Sequence, residues 1–256
     1  MLKLPQTTHQ RRYDHFVKAG LDAYKKAVES KSTKKTTALV QQSLDYFSKA
    51  VKMTDLVAME DRIPYLNEYF VLNYAILANT LSIENKIEEA ILTYQKALNI
   101  NEKTLNNQET LIRDCFISTE ISKLYIYQKN KILAEKNLWR ILKNTKKLED
   151  IKKAIKYLLQ IRDFFIQLDN QEGIKQTWKM LLKIATKGKE EDLVPIRAEI
   201  YEQYGRFLVK NEGQNPHNAL KQKKRAKKYW KKAILLYNRA KLSKKTKKLE
   251  KLIDKL

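Results

Sequence analysis

The sequence predicts an all-α fold: a solenoid of about five stacked helical hairpins, closed by a C-terminal capping helix, in one continuous domain. Two observations predict it. Gly and Pro number only five and four among 256 residues, well below an average usage of roughly 7% and 5%. Small and bulky apolar residues also recur at helical offsets, in pairs of helices, along nearly the whole chain. A hairpin of this kind cannot bury its apolar face alone, so neighbouring copies must stack on it.

The hairpins span approximately 9–54, 60–101, 104–148, 149–188 and 190–242, and the capping helix 243–256. In the first, Phe16, Ala19, Gly20 and Ala23 mark one helix and Ser43, Phe47 and Ala50 the other, with Ser30 to Thr37 a polar linker. The second has helices over Asp61 to Ile83 and Lys86 to Ile100. Pro64 sits in its first turn, where a missing N–H costs nothing, and Asn85 with Glu88 reads as a capping box. The third covers Thr104 to Gln128 and Ile132 to Leu148, patterned by Ser118, Ile121, Ser122, Tyr125, Ala134, Leu138 and Ile141. The fourth covers Glu149 to Leu168 and Gln171 to Lys187, patterned by Tyr157, Ile161, Phe164, Gly173, Thr177 and Met180, with Gly188 as its stop. The fifth carries Tyr201, Tyr204, Gly205 and Leu208, then Ala226, Trp230 and Ala233. An expanded turn, Asn211 to Gln222, separates its helices. Gly213 ends the first, and Asn215 with Pro216 opens the second. Leu249, Leu252, Ile253 and Leu256 then fall at i, i+3, i+4, i+7, the apolar stripe of a terminal helix covering the last hairpin.

Ala78, Ala90, Gly205 and Ala226 mark the closest approach of paired helices, where a larger side chain would be overpacked. Tyr94 and Trp230 belong to the core and fill the gap toward the next hairpin.

Tyr74, Leu77, Ala78 and Leu81, followed by Ala90, Tyr94 and Ala97, resemble the tetratricopeptide repeat, with its signature W-x2-L-G-x2-Y…A-x3-F. The units recur at roughly 40–50 residues against about 34 in the family, so helices are longer or turns wider here. The resemblance implies a right-handed superhelix whose groove is lined by the first helix of each hairpin. Carried onto this chain, one groove row is Leu21, Asn79, Lys123, Arg162 and Arg206. A second is Tyr24, Ser82, Ile126, Phe165 and Val209. A third is Val17, Ala75, Thr119, Leu158 and Glu202. Lys123, Arg162 and Arg206 would then form a ladder of cations flanked by Ile126, Phe165 and Leu158. Such a groove suits a partner protein or an extended peptide with acidic and apolar side chains, held by charge-assisted hydrogen bonds. The same positions equally read as an ordinary solvated face. The family's clamp for chaperone carboxylates is missing, since Val17, Leu21, Ile76, Phe116 and Glu120 stand at its positions. The implied function is a non-catalytic scaffold or adaptor.

The net charge of +23 comes from 52 Lys and Arg against 29 Asp and Glu. Lys221 to Leu256 holds 16 of the cations and only two acids, Glu250 and Asp254. Within it Lys223, Lys224, Arg225, Lys227, Lys228, Lys231 and Lys232 are interleaved with Tyr229, Trp230 and Tyr237. This basic segment points to nucleic acid or another anionic surface as an alternative partner. Compositional bias toward Lys, Asn, Ile and Tyr competes with that reading, although it does not account for the missing acids.

No catalytic or metal-binding arrangement emerges, and no cofactor is expected. His9, His15 and His217 lack ligand spacing, and Cys115 reads as a small buried apolar residue. With one Cys there is no intramolecular disulfide, which fits a reducing compartment such as the cytoplasm. The N-terminus lacks the apolar core of a signal peptide. No apolar run approaches the ~18 residues of a spanning helix, so a soluble or peripheral protein is expected.

Overall fold

The apolar periodicity resolves into helices that pack chiefly on their neighbours in sequence. The computed structural model describes residues 8–57, 60–104, 107–187, 191–211 and 216–255. Among them are α1 (Thr8–Glu29), α2 (Thr33–Thr54), α3 (Ile63–Ile83), α4 (Ile87–Asn101), α5 (Gln108–Tyr127) and α6 (Lys131–Thr145). There follow α7 (Ile151–Gln167), α8 (Gln171–Lys187), α9 (Val194–Lys210), α10 (Pro216–Arg239) and α11 (Ser243–Asp254). Three short 3-10 turns complete the described residues, which contain no strand. The fold is all-α, and its pairwise packing of consecutive helices is that of a helical-repeat solenoid.

The turns share one construction. Asn85, Lys129, Asp169 and Lys241 all adopt left-handed backbone conformations, with φ between 51° and 61°. Each follows the end of a helix, α3, α5, α7 and α10 respectively. In each, the next residue's N–H reaches back to a carbonyl of the last turn: Lys86 to Leu81 at 2.9 Å, Asn130 to Tyr125 at 2.8 Å, Asn170 to Phe165 at 2.9 Å and Leu242 to Tyr237 at 2.8 Å. This is the Schellman closure, usually built on Gly. Here it is built four times without one. Two of the residues that follow also open the next helix: the Asn130 Oδ1 accepts from the Leu133 N–H, and the Asn170 Oδ1 from the Gly173 N–H.

Several predicted boundaries move. Asn85 does not cap α4; it is the left-handed residue that ends α3, and Lys86 is the N-cap. The linker after α1 is short, because Ser32 caps α2 by accepting from the Lys35 N–H. Asn107 caps α5 through the Thr110 N–H, so Thr104 lies outside that helix. Asp150 caps α7 through the Lys153 N–H. Helix α10 already runs at Pro216, so much of the expected wide turn is helical. The expected roles of Gly188, Gly213 and Asn215, and that of Leu256, lie outside the described residues.

Where the sequence predicts one continuous domain, packing groups the chain into two compact units, Met1–Glu149 and Asp150–Leu256. The boundary is the predicted junction between the third and fourth hairpins.

In the first unit, α1 with α2, α3 with α4 and α5 with α6 form hairpins, and α2 on α3 and α4 on α5 join them. A Cβ on Gly20 would meet the Phe47 ring at 3.0 Å, and the Ser43 hydroxyl donates to the Gly20 carbonyl at 2.9 Å. Phe47 then stacks on Tyr69 of α3, with ring centroids 5.1 Å apart. Ala78, Ala90, Tyr94 and Ala97 are buried, as expected of a close hairpin. Between α5 and α6 the buried carboxylate of Asp114 accepts from Arg140 and from Asn144.

In the second unit, α7 pairs with α8 and α9 with α10, α8 packs on α9, and α11 covers α10 through buried Thr246 and Leu249. A Cβ on Gly173 would fall 2.3 Å from Phe165, and one on Gly205 would fall 2.2 Å from the Trp230 indole nitrogen. Both aromatic rings therefore lie directly on a partner helix's backbone. Trp230 donates to the Glu202 carbonyl at 3.0 Å, so it fills its own hairpin rather than the gap to the next.

Candidate functional site

Two surfaces stand out, one in each unit. In the first unit, the first helices of the three hairpins, with Lys31 and the first turn of α2, line a groove of roughly 590 Å³. Tyr24 and Val28 come from α1, Leu72, Ala75, Ile76, Asn79 and Ile83 from α3, and Phe116 and Glu120 from α5. Helical spacing explains the set: residues 72, 75, 76, 79 and 83 lie at i, i+3, i+4, i+7 and i+11 on one face. Apart from Asn79 that face is apolar, and packing covers only part of it: Ile76 lies against the core of the first two hairpins. Val28, Ile83 and Phe116 remain 58%, 67% and 46% exposed. Asn79 sits on the groove wall, exposed. Phe116 stands at one of the family's clamp positions, whereas Val28 and Ile83 fall outside the three groove rows read off the sequence. The available signal was a bulky apolar residue on the side of a helix opposite its buried stripe.

The predicted cation ladder is not a row of available charges. Lys123, in the first unit, pairs with Glu120 at 2.7 Å, one helical turn away. Arg206, in the second, pairs with Glu202 at 2.8 Å. Arg162 is only 12% exposed. Its guanidinium lies over the Trp178 ring at 5.0 Å, donates to Gln203 at 2.6 Å and pairs with Asp163. It thereby ties α7 to α8 and α9. The predicted apolar flank also changes. Leu158 and Phe165 are fully buried, whereas Phe164 is only partly so. Tyr157 and Ile161 are buried as the sequence predicts, but the core stripe of α7 also takes Leu158, and Phe165 replaces Phe164 in it. The cause is the bare backbone of Gly173, on which only a ring at position 165 comes to rest. Ile126 is half-buried on α5.

The second surface is the outward face of α10. Ala226, Trp230, Ala233 and Tyr237 point into the unit and are buried. Lys221, Lys224, Arg225, Lys228 and Lys231 point away and are exposed, while Lys223, Lys227 and Lys232 flank them, half-buried. His217, Leu220, Lys221, Lys224, Arg225 and Lys228 border an open depression of roughly 420 Å³. Arg225 is steadied by Gln222 and by the Tyr204 hydroxyl. The Lys232 ammonium lies over the rings of Tyr201 and Tyr229, at 5.3 and 5.6 Å. Tyr229 packs edge-on to Tyr204 with centroids 4.7 Å apart. Tyr237 donates to the Glu202 carboxylate at 2.7 Å. All three interleaved aromatics are thus engaged inside the fold.

Cys115 is fully buried, and burial pushes its thiol up to about 12, so it stays protonated at neutral pH. His9, His15 and His217 are exposed on α1 and α10. Among the described residues no helix is long and apolar enough to cross a membrane.

No protein-family model and no curated relative matches the sequence. Among solved structures, a de novo designed helical repeat protein is 16% identical, with 95% of this chain and 98% of that one covered at a TM-score of 0.24. BtubC from P. vanneervenii is 13% identical, with 98% and 91% covered at a TM-score of 0.23. Both scores are too low to carry an argument about this chain.

Proposed function

We propose that this chain is a non-catalytic interaction scaffold of the tetratricopeptide-repeat type, which holds an apolar segment of a partner protein in the groove of its first unit. The observation that carries this reading is the trio Val28, Ile83 and Phe116. Three helices contribute one large, exposed apolar side chain each to a single depression. Contiguous apolar surface left outside a core marks an interaction site more often than scattered apolar residues do. Asn79 offers both a donor and an acceptor to a bound backbone. An acidic partner is not part of this reading, since Lys123 and Arg206 sit beside carboxylates of their own helices.

The test replaces Phe116→Asp and Ile83→Asp together, at exposed positions where the helices themselves tolerate the change. Tagged wild type and variant are recovered under nuclease treatment, and co-purifying proteins are identified by mass spectrometry. Loss of a specific partner, with the circular dichroism spectrum unchanged, is the expected result. An identical set of partners from both proteins overturns the groove.

A further inference from the structure

Between Lys221 and Lys232 the outward and flanking faces of α10 carry eight cations: Lys221, Lys223, Lys224, Arg225, Lys227, Lys228, Lys231 and Lys232. At 1.5 Å per residue this stretch is about 17 Å long, which is roughly one positive charge every 2 Å of axis. Duplex DNA carries one negative charge per about 1.7 Å. The two linear charge densities match. Among the described residues, no carboxylate pairs with Lys221, Lys224, Lys227, Lys228 or Lys231. The only acids in the sequence beyond residue 220, Glu250 and Asp254, lie near the far end of α11. The row has a definite end, because Leu235 is exposed and Arg239 is paired with Glu191.

We propose that this face of α10 binds the phosphodiester backbone of a nucleic-acid duplex without reading its sequence. Three observations choose the duplex over other polyanions. Tyr229, Trp230 and Tyr237 are packed or hydrogen-bonded inside the unit, so no ring is left to stack unpaired bases, which is how single strands are held. An amphipathic helix on a membrane buries an apolar face in lipid. The apolar face of α10 is buried on α9 instead, and among the described residues of the helix only Leu220 and Leu235 are large apolar side chains exposed at the surface. A protein interface is built around a desolvated apolar or aromatic centre, and a continuous single-sign row has none. What the row does offer is repeated point charges, ammonium groups with one guanidinium, at two or three per helical turn. Lysine serves phosphate as a point charge, and release of condensed counterions drives such binding. This inference is independent of the groove in the first unit.

The test measures fluorescence anisotropy of two 20-base-pair DNA duplexes of unrelated sequence and one RNA duplex, from 50 to 300 mM salt. Wild type is compared with Lys224→Glu/Lys228→Glu/Lys231→Glu. The control, Lys96→Glu/Lys103→Glu/Lys136→Glu, makes the same change in net charge at exposed sites of the first unit. Circular dichroism confirms that all three proteins fold. Both DNA duplexes are expected to bind equally at 50 mM salt, and the α10 variant to bind at least tenfold more weakly. Its log–log salt slope should fall by about 3, at about 0.9 for each phosphate left without its cation, while the control stays near wild type. Comparing the DNA and RNA arms assigns the source of the phosphodiester. Four results would overturn the proposal. These are no binding at 50 mM salt, equal loss in both variants, equal competition by polyglutamate at matched charge, and tighter binding to vesicles containing 30% phosphatidylserine than to any duplex.

Discussion

Gly205 shows how much one missing Cβ decides. Trp230 rests on its backbone and donates to the Glu202 carbonyl, while the carboxylate of the same Glu202 takes the Tyr237 hydroxyl and Arg206. Gly205→Ala would drive a methyl group into the indole and displace that bond. The expected cost is about 1–3 kcal/mol, as for other overpacked cores, read as a lower urea midpoint at unchanged slope. Gly20→Ala should cost less, because the Phe47 ring stands at 3.0 Å and needs only a small shift. An equal loss in the two variants would contradict this ranking. The thiol of Cys115 and the hydroxyls of Tyr94 and Tyr237 are also residue-scale features. Burial raises all three. A raised group stabilises the fold fully below its unfolded pKa, and that contribution fades as pH climbs toward the folded value. The thermal midpoint should therefore hold up to about pH 9, the ordinary thiol range, and fall from there toward pH 12. A flat midpoint over that range would refute the burial account. Arg162 belongs to the same scale. A charge reversal there should lower stability first, because it removes the guanidinium from Trp178 and Gln203.

At the scale of elements, the hairpin turns were the part least legible in the sequence. Glycine is the usual signal for a left-handed helix end, yet Asn85, Lys129, Asp169 and Lys241 occupy those places. With no glycine to announce it, Asn85 resembled a helix opener. The strain predicts its own relief. Left-handed backbone costs an L-residue with a Cβ roughly 1–2 kcal/mol, so Lys129→Gly should stabilise by about 0.5–1 kcal/mol after the added freedom of the unfolded chain is deducted. A scan would show it as a rise of about 1–4 °C. A fall would mean that the Lys129 side chain contributes more than its backbone strain costs. Helix α7 shows a different kind of ambiguity. Its apolar residues are dense enough to support two neighbouring registers, and Gly173 on the partner helix chooses between them. Sequence periodicity on one helix contains no such information. The helices themselves, the small residues of the second hairpin, and the inward placing of Trp230 on α10 were all legible, because i, i+4 and i+7 spacing fixes them locally.

At the scale of the whole molecule, packing is chiefly between sequence neighbours and groups into two units. Proteins built this way unfold by segments rather than all at once. Hydrogen exchange read by mass spectrometry should therefore show two sets of amides, divided near Glu149 and Asp150, with distinct opening free energies. One uniform value across both units would argue against the division. The two surfaces lie in different units and share no residue, so their effects should be separable. The groove variant should keep duplex binding, the α10 variant should keep protein capture, and a combined variant should show both losses without coupling.

An all-helical chain of hairpins, its approximate unit boundaries and the concentration of cations near one end are legible from residue order alone. These follow from helix-period patterning and from residue counts, which are local properties. Folding settled the fate of Arg162, because Trp178 and Gln203 on the facing helices hold its guanidinium. It also decided that Leu158 and Phe165 are core, and that Val28, Ile83 and Phe116 share one groove. Registers, grooves and contacts between helices depend on what the facing helix presents, and a single helix's sequence does not carry that.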